Sequence, residues 1–352
     1  MDELFEKYMH PIWEGNVVFA ESVMFYPEPQ TGIVEPAPLL YRAEEIFSIT
    51  SSDFMIEYKE NEDYYLENGK LVRTKNSAIP VWDYDSYYLK EPAKIPIYSA
   101  SVPDRYVHFA PGGKYHSMQV AVTYRHNGET GMFRPQRAEN SLYRSLKKLR
   151  LGQPLKIVFF GDSLVEGCDA SGHCQCAPYM PPFTELIVRW LRERFPQSDI
   201  RAVNTAVGGT DSGWGAEQAQ QRIADHRPDL VLLNFGMNDS GHQILPRKYK
   251  ENMQRIIDTV RNTTPEAEFL MLTTYLPNPD CAGWTCWQKQ YRPIQQELAS
   301  ENAGIVLCNT GQLQDRILQH KRYADMAGNG VNHPNDFLSR IYAQAIADTM
   351  SR

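Results

Sequence analysis

From Leu155 onward, short apolar runs alternate with stretches in which apolar residues recur every three or four positions. The runs Leu155 to Phe160, Ile200 to Val207, Leu230 to Phe235, Phe269 to Thr274 and Ile305 to Cys308 read as strands buried on both faces. Between the first two, Phe183, Leu186, Ile187, Trp190 and Leu191 fall on one face of a helix. Further helices are predicted over 216–225, over 247–262 (Tyr249, Met253, Ile256, Ile257, Val260), over 288–302 and over 336–350. Strands that alternate with helices in this way predict a parallel sheet covered on both sides, a three-layer α/β/α fold over residues 154–352.

Residues 1–139 have a different texture. Of the 40 aromatic residues, 19 fall within positions 1–110, so composition changes along the chain. Runs rich in Tyr, Val, Ile and Phe (Asn16 to Ala20, Phe54 to Tyr58, Tyr84 to Leu89, Ser117 to Tyr124) are separated by turn signals such as Glu67-Asn68-Gly69, Ala110-Pro111-Gly112-Gly113 and His126-Asn127-Gly128. This pattern predicts antiparallel strands and a β-rich, sandwich-like N-terminal domain. Residues 140–153, with Ser141, Leu142, Leu146 and Leu149, are predicted to form a linker helix. There is no internal repeat or low-complexity tract.

A length of 352 residues suits two folding units, and 42% hydrophobic with 22% charged residues is ordinary globular composition. The net charge of −7, with no basic run longer than Lys147-Lys148-Leu149-Arg150, gives no footprint for nucleic acid or an anionic membrane. No apolar stretch is long enough to span a bilayer, and the N-terminus (Met1, Asp2, Glu3) is acidic where a secretory signal is basic, so a cytoplasmic location is expected. A neutral or small substrate fits this charge balance better than a polymeric anion.

In an open parallel sheet, ligands bind beyond the carboxyl ends of the strands. Gly161-Asp162-Ser163-Leu164 follows the first predicted strand, Asn204-Thr205-Ala206-Val207-Gly208-Gly209-Thr210 the second, and Gly236-Met237-Asn238-Asp239 the third. Asn332-His333-Pro334-Asn335-Asp336 opens the last helix. A serine on the turn leaving a strand exposes its oxygen and can lend its own N–H to a developing oxyanion. A histidine on the last loop of the sheet is placed to take its proton. Taken singly, a serine after a strand is more often a helix cap and a His-Pro pair a turn. The ordered set outweighs that reading. Asp162 and Asp239 read as structural turn residues, and Glu166 as part of the following turn or helix.

These four segments resemble, in the same order, the sequence blocks of the SGNH (GDSL-type) hydrolases, over roughly residues 153–352. The resemblance implies a serine esterase that works through an acyl-enzyme and needs no cofactor. Ser163 would be the nucleophile and His333 the base, with Ser163, Gly209 and Asn238 forming the oxyanion hole. The family's acid usually lies three residues before the histidine, and that position here is Gly330. Two arrangements stay open: a displaced acid, with Asp325 and Asp336 as candidates, or a Ser-His dyad whose imidazole is oriented by a backbone carbonyl. At its position Asp336 also reads as a helix N-cap.

Cys168, His173, Cys174 and Cys176 cluster within nine residues, and Cys281 and Cys286 form a second pair. Their spacings match no standard structural zinc site, so buried or free thiols are expected and no metal. Gly208-Gly209 lacks the pattern of a nucleotide-binding loop. Tyr179, Trp214, Trp284 and Trp287 lie in predicted loops near the strand ends, where their rings could stack on sugar faces or simply pack against the other domain. The two-domain plan and these aromatics resemble carbohydrate O-acetylesterases, which implies an acetylated, hemicellulose-type oligosaccharide as substrate. The alternatives are a lipid esterase or thioesterase of the same fold, and a non-catalytic carbohydrate-binding protein.

Overall fold

The computed structural model describes residues 2–92, 99–128, 133–135, 142–281, 284 and 287–351. Helix α1 (Glu3–Met9) starts at Asp2, whose carboxylate accepts the Leu4 N–H at 3.1 Å. The strands β1 (Val17–Met24), β2 (Ala43–Ser51) and β3 (Glu57–Tyr58) follow, then the ribbon of β4 (Tyr64–Glu67) and β5 (Lys70–Arg73). A helical turn α2 (Tyr84–Tyr87), the ribbon of β6 (Tyr88–Leu89) and β7 (Tyr106–Val107), and strand β8 (Gln119–His126) complete the N-terminal region. Strands β1, β8, β2 and β3 form one antiparallel sheet in that order.

Three local outcomes differ from the pattern reading. Tyr84 to Leu89 opens as helix because Asp83 caps it, taking the Ser86 N–H at 3.0 Å and its hydroxyl at 2.5 Å. The run from Phe54 narrows to Glu57–Tyr58, since Phe54 sits in the left-handed region at φ 63 within a turn. Strand β2 is additional. Register shifts between Ala43 and Glu45 and between Ile46 and Ser48 break its alternation, which leaves no period-two signal to read.

Helix α3 (Tyr143–Arg150) covers most of the predicted linker; Ser141 is outside the described residues. Its first N–H groups, of Arg144 and Ser145, are taken by the buried Glu268 carboxylate at 2.9 and 2.7 Å. The parallel sheet comprises β9 (Leu155–Gly161), β10 (Ile200–Asn204), β11 (Leu230–Asn234), β12 (Glu268–Leu272) and β13 (Ile305–Cys308), in the order β10-β9-β11-β12-β13. The order reverses at β9, which places the ligand crevice beyond the ends of β9, β10 and β11. Those ends are level, with Asn204 beside Phe159 and Asn234 beside Gly161. The helices of this half are α4 (Ser163–Glu166), α5 (Phe183–Arg194), α6 (Ser212–Arg222), α7 (Met237–Gly241), α8 (Pro246–Thr263), α9 (Gln288–Glu301), α10 (Thr310–Ile317) and α11 (Asp336–Met350).

Helix α11 is buried on almost every face, with only Asp336, Asp348 and Thr349 half-exposed, because it lies between the two halves. Phe337, Ile341 and Ala345 share one core with Phe5, Trp13 and Val18 of the N-terminal region and with Ile157 and Phe159 of β9. The polar groups that α11 carries inside are matched by N-terminal main chain: Arg340 donates to the carbonyls of Phe19 and Ala20, and Gln344 donates to Tyr8 O at 2.8 Å. A fully buried Lys321–Glu21 pair at 2.5 Å ties the loop before α11 to β1. Glu21 also accepts from Tyr124 Oη and the Leu40 N–H, so neither charge is left alone. Among the described residues, no helix is long and apolar enough to cross a membrane.

Candidate active site

The nucleophile turn is set by sterics. A Cβ at Gly161 would lie 2.3 Å from Asn234 O and 2.6 Å from Val165 Cγ2, so only glycine lets β9 turn directly into α4. Asp162 caps that helix, accepting the Leu164 N–H at 3.0 Å, and Ser163 is its first residue. Burial pushes the Asp162 carboxyl up to about 7 against the opposing Leu164 hydrogen bond, and its Oδ2 meets no donor among the described residues. The fold therefore holds a proton there that an unfolded chain, at the ordinary value of 3.8, has released. This contribution to stability is full below about pH 4 and is lost as pH rises through about 7. Asp162→Asn, which keeps the capping oxygen without the charge, is expected to raise Tm at about pH 8 and to leave it nearly unchanged at about pH 4. Thermal melts across that range check it; a uniform loss of Tm contradicts it.

Ser163 Oγ lies 2.8 Å from His333 Nε2, and His333 Nδ1 lies 2.6 Å from Asp169 Oδ2. All three side chains are largely withdrawn from solvent. The loop bearing His333 is shaped by the buried Asn329, whose Oδ1 accepts the N–H groups of Val331, Asn332 and His333 at 2.9 to 3.2 Å. Burial disfavours the Asp169 carboxylate, but the hydrogen bond and charge of His333, the Gly112 N–H at 2.8 Å and the Cys174 thiol at 3.5 Å outweigh it. Its pKa is accordingly held below the usual carboxylate value.

Asp169 thus occupies the position for which Asp325, Asp336 and a backbone carbonyl were the candidates. Asp325 is turned to the N-terminal sheet, where it accepts the Met24 N–H at 2.8 Å and pairs with Arg322 at 3.1 Å. Asp336 accepts the Ser171 N–H at 2.8 Å, and the N-cap of α11 is Asn335 rather than Asp336. The vacancy at Gly330 also has a cause. It adopts φ +85, and a Cβ there would lie 2.1 Å from Tyr115 Oη and 2.5 Å from His108 O. The N-terminal region fills the space where an acid at that position would project, and the carboxylate bonded to His333 Nδ1 comes instead from the loop after α4.

The other predicted residues converge on the same strand ends. Gly208 adjoins Ser163, since its Cβ would lie 3.5 Å from Ser163 Cβ, and a Cβ at Gly209 would meet nothing within 4 Å. The Gly208 N–H donates to Glu166 Oε2 at 2.6 Å, so Glu166 tethers the glycine loop to the nucleophile helix. Asn238 Nδ2 donates to Thr210 O at 2.8 Å, which ties the third block to the second and leaves its other N–H for a ligand. Asp239 accepts the Ser212 N–H and hydroxyl, and burial pushes its carboxyl up to about 6.

The aromatics divide. Trp214 stacks on the core residue Phe160, with ring centroids 5.7 Å apart, and the Arg222 guanidinium lies over its ring at 5.0 Å from the centroid. Trp287 is the N-cap residue of α9, its backbone N–H donating to Ser240 Oγ at 2.8 Å, and Trp284 packs beside Gly241. Tyr179 is 63% exposed, on the loop that carries Asp169. Cys168, Cys174, Cys176, Cys281 and Cys308 are free thiols; Cys286 is outside the described residues. Among the described residues, no group of three His, Cys, Asp or Glu side chains is placed to hold a metal ion.

A five-stranded parallel sheet in this order, flanked by helices and carrying a Ser-His-Asp array at its switch point, is an SGNH-like three-layer α/β/α fold. The sequence model of the GDSL-like lipase/acylhydrolase family matches residues 159–340, a span that contains Ser163, Asp169, Gly209, Asn238 and His333. The chain belongs to that family. It is 26% identical over 108 residues to an arylesterase of Vibrio mimicus, covering 31% of this chain and 50% of that protein, so it spans about half the length of that curated relative. Among solved structures, a two-domain esterase active on acetylated mannans is similar at TM-score 0.48 and 20% identity, over 60% of this chain and 52% of that one. Axe2, an acetylxylan esterase from Geobacillus stearothermophilus, is similar at TM-score 0.47 and 18% identity, over 56% and 94%.

Proposed function

We propose that the protein is a serine esterase that hydrolyses its substrate through an acyl-enzyme on Ser163. The observation that carries this reading is the continuous hydrogen-bonded array from Ser163 Oγ through His333 to Asp169 Oδ2. His333 Nδ1 donates to the ionised Asp169, which leaves Nε2 as the acceptor for the serine proton. As Ser163 Oγ bonds to the ester carbonyl carbon, its proton passes to Nε2 and the carbonyl oxygen becomes an oxyanion. That oxyanion is held by the N–H groups of Ser163 and Gly209 and by Asn238 Nδ2. Collapse breaks the bond to the alcohol oxygen, which leaves with the proton from Nε2. Water then gives a proton to Nε2, attacks the acyl carbon, and releases the acid while Ser163 recovers its proton.

Asn238→Ala is expected to lower kcat by about 10² to 10³ with KM nearly unchanged, because the amide acts on charge that develops only in the transition state. Steady-state kinetics on a p-nitrophenyl ester reads this directly, and an effect confined to KM would make Asn238 a ground-state contact instead.

For the substrate we propose an acetyl ester on an oligosaccharide. The segments that follow β10 and β11 are polar, bearing Thr210, Asp211 and Asn238, and Tyr179, on the loop that carries Asp169, offers an exposed ring as a stacking surface. Acetate release from acetylated xylan and mannan oligosaccharides, run beside p-nitrophenyl esters from acetyl to dodecanoyl, tests this. A steep fall in kcat/KM beyond acetyl agrees with the reading. Faster cleavage of octanoyl than acetyl assigns the site to lipid esters, and no hydrolysis at all assigns the protein to binding.

A further inference from the structure

The acid of the array is an awkwardly held residue. Asp169 has φ 63, in the left-handed region that crowds the Cβ of a side-chain-bearing residue. Its main chain must keep that conformation for Oδ2 to face His333. Two groups from outside the parallel-sheet half grip it. The Gly112 N–H donates to Oδ1 at 2.8 Å, and His116 Nε2 lies 2.8 Å from the Asp169 carbonyl oxygen. A carbonyl only accepts, so His116 Nε2 carries the proton and donates it.

His116 is itself firmly mounted. It is 3% exposed and opens the 3-10 turn His116–Met118 that leads into β8, and its own carbonyl accepts from Ser52 Oγ at 2.6 Å. The preceding residue, Tyr115, is the one that fills the space beside Gly330 and donates to His108 O at 2.6 Å. One short stretch of the N-terminal region therefore excludes an acid from its usual place and holds the replacement in position.

We infer that His116 is a positioning residue for ester hydrolysis: by fixing the Asp169 main chain it aims the Asp169 carboxylate at His333 Nδ1, which makes the N-terminal region part of the catalytic apparatus. This inference rests on the Ser163-His333-Asp169 reading. Without the donor, the Asp169 peptide is free to leave the left-handed region, and a displacement of even about 1 Å in such an array costs up to about 10² in rate.

The test compares five variants of the full chain on p-nitrophenyl acetate: three at His116, Asp169→Asn, and Asp169→Asn combined with His116→Ala. His116→Ala is expected to lower kcat about 10- to 100-fold with KM changed by less than about threefold. His116→Gln, whose Nε2 reaches about as far as the imidazole Nε2, restores kcat to within about threefold of wild type, whereas the shorter His116→Asn does not. In an Asp169→Asn background, His116→Ala causes less than about a twofold further loss, since the group it positions is already disabled. A His116→Ala variant with full kcat and only a lowered Tm overturns the inference, as does an equal loss in both backgrounds. If the alanine variant does not fold, the Gln and Asn variants decide: equal kcat in the two overturns it. Loss of activity in Asp169→Asn with a neutral His116→Ala removes this inference alone, while a fully active Asp169→Asn removes the triad reading beneath it.

Discussion

Ser163→Ala is expected to lower kcat by about 10⁶ while the protein remains folded, the loss typical when the nucleophile of such an array is removed. In the proposed mechanism the oxygen attacks the carbonyl itself, so no neighbouring group replaces it, and what remains is attack by water at the proposed oxyanion hole. The fold should tolerate the change. The serine hydroxyl contacts His333 Nε2, the α4 cap belongs to Asp162, and alanine is a better helix residue than serine. Pre-steady-state release of p-nitrophenol should lose its burst in this variant, with an unchanged circular dichroism spectrum.

The second large effect is at Asp169. Asp169→Asn is expected to lower kcat by about 10⁴, because an amide facing Nδ1 no longer dictates which imidazole nitrogen carries the proton. The comparison with the other two carboxylates gives the prediction its force. Asp325→Asn and Asp336→Asn are expected to keep kcat within about tenfold of wild type wherever they fold, since neither carboxylate is bonded to His333. Asp325→Asn is expected to lower Tm, because it removes the partner of a nearly buried Arg322 and weakens the field around Lys321. Because the Asp169 pKa is depressed, its carboxylate stays ionised as pH falls toward the ordinary carboxylate range, and the stability it lends through His333 is present above about 4 and is lost only as pH falls below that. The acid limb of a pH–rate profile at higher pH therefore does not report Asp169.

Which parts of this were legible in the chain follows from what each part depends on. Strands β9, β11, β12 and β13 are buried on both faces, so each writes a continuous apolar run. Ser163 and Asn238 follow β9 and β11 and could be placed from such runs; β10, expected to be buried on both faces, is an edge strand that is mostly exposed, and Gly209 beyond it was placed by the resemblance of its block. Asp169 could not. It lies in an irregular loop, six positions after Ser163 and 164 before its partner His333, and nothing periodic marks it. The signal present was indirect: a glycine at the family's acid position, together with an Asp-Ala-Ser-Gly turn among three cysteines close to the nucleophile. Why Gly330 is glycine depends on Tyr115 and His108, more than 200 residues earlier, and such long-range packing has no local trace. Trp214 shows the converse limit. Its loop-like setting of glycines left open sugar stacking or packing against the other domain, but Asp211 starts a helix there by accepting the Trp214 N–H at 3.0 Å, and the ring packs on Phe160 within the parallel-sheet half.

The role of Glu166 was hidden for a related reason. From the sequence it is one more residue of a short helix, and its tether to the Gly208 N–H exists only because β10 ends level with β9. The parallel register, which brings the second and third blocks to Ser163, is thus also what turns an ordinary glutamate into a tether for the Gly208-Gly209 loop.

The central claim, that Ser163 forms an acyl-enzyme under the control of His333 and Asp169, is tested most directly by trapping that intermediate. Wild-type protein and the Asp169→Asn variant would be mixed with p-nitrophenyl acetate, quenched in acid within the first turnover, and digested for mass spectrometry. The account predicts a single acetyl group on the peptide containing Ser163 in wild type, formed about 10⁴ more slowly in Asp169→Asn and absent in Ser163→Ala. An acetyl group on any other residue, or one that forms on Ser163 at the wild-type rate without Asp169, would contradict it.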